Sequence, residues 1–364
     1  MSTAHQILIG DCAEAMRGLP DKSVQCCVTS PPYFGLRDYG VDGQIGLEQT
    51  PAEFIGRLVE VFREVRRVLR DDGTAWVNMG DSYASKPNGP IGFGGHSGDA
   101  PHVAVRTANA RRSSQIPAGF KHKDLMGMPW RLAFALQDDG WYLRQDIIWH
   151  KPNPMPESAR DRCTKSHEYI FLLSKSRRYY YDQEAILEPC SPNTHARLAQ
   201  AVAAQIGSER ANGGAKTNGN MKAVARKSNG VGFGHGTDAA TRARGRVKDN
   251  TSMDSALAIM PTERNKRSVW TVPTHSFKGA HFATFPPDLI RPCIQAGSPR
   301  GGVVIDPFGG AGTTGLVAMQ EGRRSILCEL NPAYAAMAQA RLDQAWMDGA
   351  AQMDVFLDTK DTAA

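Results

Sequence analysis

An α/β fold on a twisted, mostly parallel sheet, entered out of the usual strand order, is what this sequence predicts. Three observations predict it. An apolar run, Val24-Gln25-Cys26-Cys27-Val28, ends in the rigid turn Thr29-Ser30-Pro31-Pro32-Tyr33. Near the other end, Val303-Val304-Ile305 leads through Asp306-Pro307-Phe308-Gly309-Gly310-Ala311-Gly312 into an apolar helix beginning at Thr313. A third run, Ser325-Ile326-Leu327-Cys328, closes on Glu329. Strand, glycine-rich loop, helix and a second strand ending in an acid roughly 20 residues on form a ligand-binding half of a doubly wound fold.

Taken in order, the chain opens on a strand, Gln6-Ile7-Leu8-Ile9, followed by Gly10-Asp11-Cys12. Phe54, Leu58, Val61, Phe62, Val65, Val68 and Leu69 fall on one helical stripe, which Asp71-Asp72-Gly73 is expected to end. Thr74-Ala75-Trp76-Val77-Asn78 reads as the next strand. Residues 82–123 are Gly-rich, carry Arg111, Arg112, Lys121 and Lys123, and show little periodicity. Asp124 is placed to cap a helix through Trp130, Leu132, Phe134 and Leu136. Strands follow at Tyr142–Trp149 and Tyr169–Leu173. Tyr179-Tyr180-Tyr181 is expected to be an edge strand, with stacking on bases as the other reading. A last helix runs from Pro332 to Met347.

Composition limits the function classes. The chain has 364 residues and a formal net charge of +6, enough for one large α/β core with insertions and mildly basic. Seven cysteines include no Cys-x-x-Cys pair, so neither a disulfide framework nor a zinc site is indicated, and no metal is expected. Cys26, Cys27 and Cys328 fall on strands as small core residues. No charged leader precedes the first strand and no run reaches membrane-spanning length, so a cytoplasmic location is expected. The basic charge is concentrated in residues 191–250, which hold ten Lys and Arg against Glu209, Asp238 and Asp249. That segment has one aromatic, Phe233, and reads either as a DNA-wrapping insertion or as a solvated one.

Two motifs carry chemistry. Pro31 and Pro32 have no N–H and a fixed φ, so the turn offers carbonyls without competing donors. Ser30 adds a hydroxyl and Tyr33 a flat face. Such a turn suits an exocyclic amine, whose lone pair is delocalised into its ring; two acceptors on its N–H bonds localise that pair for attack on an in-line methyl donor. The same tripeptide also makes an ordinary strand-to-loop turn. The loop at 306–312 lets a ligand approach the backbone at a helix N-terminus. No Gly-Lys-Ser/Thr follows it, so it is not a P-loop. Asp306 is placed to meet a ligand amino group and Glu329 to grip a ribose diol. A tight strand–helix connection without a ligand is the other reading.

Together these motifs resemble the S-adenosylmethionine-dependent DNA amino-methyltransferases. The order here, base-binding turn first and cofactor loop last, resembles their beta class. The resemblance implies a Rossmann-like methyltransferase fold with circularly permuted motifs. It implies catalytic roles for Ser30, Pro31, Pro32 and Tyr33. It implies cofactor contacts from Asp11, Phe282, Asp306, Phe308, Gly309, Gly310, Gly312, Thr313 and Glu329. Trp149 to Pro156 and Thr164 to Tyr169 also resemble family segments around the target base. For Lys151, Asn153 and His167 a direct role and plain loop packing stand side by side. Arg160 and Arg162 either reach a phosphate or are solvated.

The implied layout is a base-binding half at 1–81, the insertion 82–123, the catalytic domain continued at 124–190, a basic insertion for target recognition at 191–265, a cofactor-binding half at 266–348 and a tail at 349–364. Expected DNA contacts are Arg111, Arg112, Lys151, Arg226, Lys227, Arg242, Arg244 and Arg246. The expected substrate is double-stranded DNA, with one base flipped into the crevice. Within the family Ser at the head of the turn favours cytosine N4 over adenine N6. A Pro-Cys nucleophile for ring-carbon methylation is missing near the turn, since Pro189-Cys190 lies far from it. An RNA or protein-amide methyltransferase and a non-catalytic DNA-binding protein of the same fold are the remoter alternatives. A homodimer and a cognate restriction endonuclease are the further partners that the resemblance suggests.

Overall fold

The computed structural model describes residues 5–36, 40–84, 116, 119–190, 262–274 and 285–361, with side chains to residue 349. Two units divide the chain: Met1–Ile186 with Arg267–Ala364, and Leu187–Lys266. In the second unit the described residues form one antiparallel pair, β6 (Glu188–Pro189) against β7 (Glu263–Arg264), which an Arg264–Glu188 ion pair clips at 2.9 Å.

The first unit is built on an eight-stranded sheet. Its strands are β1 (His5–Ile9), β2 (Val24–Thr29), β3 (Leu69–Met79), β4 (Tyr142–His150), β5 (His167–Ser174), β8 (Val269–Thr271), β9 (Val303–Asp306) and β10 (Arg324–Glu329), in the spatial order β1-β10-β9-β2-β3-β5-β4-β8. Five neighbouring pairs are parallel; only β5 runs antiparallel to its neighbours β3 and β4. The late strand β9 lies beside the early strand β2, with Cys26 opposite Val304 and Cys27 opposite Ile305. This is the adjacency that the motif order requires.

From Cys26 onward side chains on β2 alternate between two cores, as a pleated strand buried on both faces must, and a register shift between Val24 and Cys26 puts Val24 on the face of Cys27. Val24 and Cys27 join one core with Ala75, Val77 and Ile305. Helices α1 (Cys12–Arg17), α2 (Pro51–Val68) and α3 (Met128–Asp138) cover that face. Cys26 and Val28 join the other with Trp76, Leu172 and Val304, under α4 (Pro287–Gly297) and α5 (Thr313–Gln320). The final helix, α6, runs Pro332–Asp361, longer than the stretch to Met347 read from sequence. Among the described residues no helix is long and apolar enough to cross a membrane.

Three local expectations are corrected. The helical stripe stops at Val68, because Leu69 takes an extended backbone (ψ 141°) and opens β3, where it pairs with Val24. The N-terminus of that helix follows the rules, with a Thr50/Glu53 capping box and Pro51 in its first turn. Asp124 does not cap α3; its carboxylate accepts from the Lys121 N–H. Asp81 does the capping from the end of β3, accepting from the N–H groups of Gly127 (3.1 Å) and Met128 (3.0 Å). The tyrosine run is not a strand. Tyr180 N–H bonds to the Asp72 carbonyl, while Tyr181 stacks on Trp76 at 6.3 Å, so the run crosses a sheet face and packs instead of pairing.

Where α4 ends, the fit is tight. A Cβ on Gly297 would lie 2.6 Å from Cys26 Sγ, 2.7 Å from Trp76 Nε1 and 3.0 Å from Thr74 Oγ1. All three neighbours are buried. Gly297→Ala is therefore expected to destabilise the fold by about 1–3 kcal/mol through overpacking. Equilibrium denaturation measures this as a lowered midpoint at unchanged slope.

Candidate functional site

Parallel strands present their C-terminal ends at one edge of a sheet, and an antiparallel strand presents its beginning there. The residues after β1, β2, β3, β4, β9 and β10 and the first residues of β5 therefore converge. They line a cavity of about 980 Å³ that holds Ser30, Pro31, Pro32 and Tyr33 together with Asp306, Phe308, Gly309, Gly310, Thr313 and Glu329. Asp11 and Lys151 line it as well. The two motifs, far apart in sequence, share one cleft.

Asp306 joins them. Its carboxylate accepts from Thr29 Oγ1 (2.6 Å), at the end of β2, and from Thr314 Oγ1 (2.6 Å), at the start of α5. The Phe308 N–H adds a third bond at 3.0 Å. Asp306 is 1% exposed, and burial raises its carboxyl from 3.8 to about 6 against the pull of these donors. Glu329 is held in a similar way: it accepts from the N–H groups of Gly310 and Asn331, both at 2.8 Å, while burial raises its pKa. Asp11, expected at the cofactor, also caps α1 through the Ala13 and Glu14 N–H groups.

The loop itself is closely packed. A Cβ on Gly309 would stand 2.9 Å from Leu327 Cβ, which explains a glycine there. Gly312 does not line the cavity. It has φ +76° and backs onto α6, where a Cβ would meet that of Ala338 at 2.9 Å. Its role in this structure is to let the loop turn and the helix approach. Arg341 of α6 clamps the same loop, donating to the Ala311 carbonyl at 3.0 Å and to Thr313 Oγ1 at 2.9 Å.

On the other side, Tyr33 donates its hydroxyl to Glu168 Oε2 at 2.8 Å. Glu168 also pairs with Lys151 Nζ and accepts from Asn78 Nδ2 at 3.3 Å. Burial first, and then the Glu168 charge, push the Tyr33 phenol well above its ordinary value, so it stays a neutral donor. Gly80 makes room for this pairing, since a Cβ there would stand 2.8 Å from the Tyr33 ring and 3.1 Å from the Glu168 carboxyl. Lys165 donates to the Asp81 carbonyl at 2.7 Å, and burial lowers its pKa.

Phe282, Arg111, Arg112, Arg226, Lys227, Arg242, Arg244 and Arg246 lie outside the described residues. Sequence reasoning missed Thr29, Asn78, Asp81, Thr314 and Arg341 as parts of the site, and gave Lys165 and Glu168 no role of their own within the segment Thr164 to Tyr169. The signal for Asn78 was a polar residue inside an apolar strand. Arg341 left no local signal.

A family model described as DNA methylase matches residues 24–340. The Type II methyltransferase M.XycI of Xanthomonas campestris pv. cyanopsidis is 44% identical over 333 residues, covering 92% of this chain and 86% of the relative. M.Cfr9I of Citrobacter freundii is 44% identical over 337 residues, again covering 92% and 86%. Among solved structures, the PvuII DNA methyltransferase (cytosine-N4-specific) aligns with a TM-score of 0.54 at 16% identity, over 93% of this chain and 86% of that one. TTHA0409 of Thermus thermophilus, a putative DNA modification methylase crystallised with S-adenosyl-L-methionine, aligns with a TM-score of 0.52 at 21% identity, over 94% of each chain. These two structures show the likeness of fold.

Asp306 makes the site's stability pH-dependent. Between 3.8 and about 6 the folded chain keeps a proton that the unfolded chain has released, so the Asp306 contribution is full below pH 3.8 and is lost as pH rises through 6. Asp306→Asn cannot titrate. Its unfolding free energy relative to wild type is expected to shift in the variant's favour by on the order of 3 kcal/mol across that window and to be flat above it. Denaturation at a series of pH values measures the difference.

Proposed function

The chain belongs to the DNA methylase family of amino-methyltransferases, and from that premise we propose that it methylates the N4 amine of a cytosine flipped out of duplex DNA, with S-adenosylmethionine as donor. The observation that carries this reading is the shared cavity, in which Ser30 and the glycine loop face one space.

The residues present fit such a donor. Two buried acids, Asp306 and Glu329, both raised by burial and lining one cavity, favour a cationic ligand that restores their charge. Asp306, Phe308, Gly309 and Gly310 would hold its amino-acid part and Glu329 its ribose. The group supplies a methyl on a sulfonium, which departs as a neutral thioether. The chain does the rest. Ser30 Oγ and the Pro31 carbonyl accept the two N–H bonds of the amine and aim its lone pair. Tyr33, fixed through its hydroxyl by Glu168, presents its ring to the base. The proton released from the amine leaves through the Ser30 and Pro31 acceptors to water. Holding the reactants in line supplies most of the rate.

Cytosine is preferred for two reasons. Ser30 heads the turn, and the family resemblance ties a serine there to cytosine. Lys151, Lys165 and His167 line the same cavity, and a donor among them would find acceptors in the O2 and N3 of cytosine. Adenine has a C–H in the place of O2. The basic segment at 191–250 contacts phosphate and reads the target, and Arg111 and Arg112 of the other insertion assist it.

Expression in cells without their own DNA methylation tests the reading. Genomic DNA digested to nucleosides is expected to contain N4-methylcytosine, and Ser30→Ala is expected to lower it by about 100-fold with the fold intact. N6-methyladenine in its place would overturn the choice of base. No methylated base, with methyl transferred to RNA or protein, would overturn the function. Sequencing the same DNA locates the target site.

A further inference from the structure

Met155 is 86% exposed, the most exposed of the large apolar side chains among the described residues, and it also lines the cavity that holds Ser30. A single exposed apolar side chain is ordinary. This one differs in how it is held. Pro154 and Pro156 fix φ on either side of it. Asn153 is locked to Thr274 by a reciprocal pair, Nδ2 to the Thr274 carbonyl at 3.0 Å and the Thr274 N–H to Oδ1 at 2.9 Å. Before it, the Lys151 N–H bonds to the Ser166 carbonyl at 2.7 Å. After it, Glu157 accepts from Arg162 at 3.0 Å and from the Lys165 N–H at 3.4 Å. A flexible apolar chain thus stands in solvent on a loop anchored on both sides, at the mouth of the space the base must enter.

Taking a base out of a duplex leaves a gap in the stack, and the cost of unstacking falls when an apolar side chain fills it. Resting on the flipping reaction proposed above, we propose that Met155 is the wedge that enters the duplex where the target cytosine leaves. Met suits the task because its unbranched thioether slides between base faces without needing one fixed shape. Arg160, exposed on the same loop, is placed to hold a phosphate while the wedge is in. Met155 is thus a positioning residue: it touches neither the amine nor the donor.

The test compares two short duplexes carrying the site found by sequencing, one with the target cytosine paired to guanine and one with it opposite an abasic residue. In the second the base is already unpaired and part of the opposing stack is gone. Met155→Ala is expected to lower kcat/KM about tenfold on the paired duplex and less than about twofold on the abasic one, while Met155→Leu stays near wild type on both. The side chain is solvent-exposed, so thermal denaturation of the variants should match wild type. An equal loss on both duplexes, or no loss on either, would overturn the wedge while wild-type methylation left the reaction standing. Failure of wild type on both duplexes would overturn the reaction, and the wedge with it.

Discussion

The buried carboxylate of Asp306 is the constraint on which the site depends. Its oxygens receive the hydroxyls of Thr29 and Thr314, each at 2.6 Å, so one group ties the end of β2, the end of β9 and the start of α5. The turn at 30–33 follows Thr29 directly, and the glycine loop follows Asp306. A shift of either strand end would break a short bond to a buried carboxylate, at a cost of several kcal/mol for a charged acceptor. Register and cleft are fixed together.

Strand direction does the remaining assembly. Because β5 is antiparallel, its first residues, His167 and Glu168, arrive at the edge where β3 ends, with Met79 opposite Tyr169. β4 is antiparallel to β5 in turn and delivers Lys151 beside them, with His150 opposite His167. A wholly parallel sheet would carry Glu168 to the far edge. The ion pair of Lys151 and Glu168 and its bond from Tyr33 are consequences of that single reversal.

Much of this was legible in the sequence, because the two motifs are local. A proline turn after an apolar strand and glycines before an apolar helix each carry their geometry in consecutive residues. The alternation of Cys26 and Cys27 between two cores follows from strand period alone. What escaped was non-local. Leu69 lies on the helical stripe, yet it is drawn into the sheet by pairing with Val24, 45 positions earlier in the numbering. Asp81 caps a helix that starts at Met128, across an insertion, and nothing near Met128 announces it. Glu168 and Arg341 act through partners that only the fold supplies. Gly312 belongs to the loop motif, yet the close approach it permits is to Ala338, which lies in another helix.

The two halves of the cavity differ in what their polar groups lack. Around the glycine loop the acids hold charge at a disadvantage, since burial raises both Asp306 and Glu329. A positive ligand would restore their charge. Around the proline turn the polar groups are tied to one another: Tyr33 to Glu168, Glu168 to Lys151 and Lys165 to the Asp81 carbonyl. The prolines of the turn line the cleft and have no N–H of their own to offer. An amine of the kind proposed would meet groups already oriented there, so little reorganisation would remain when its hydrogens found them.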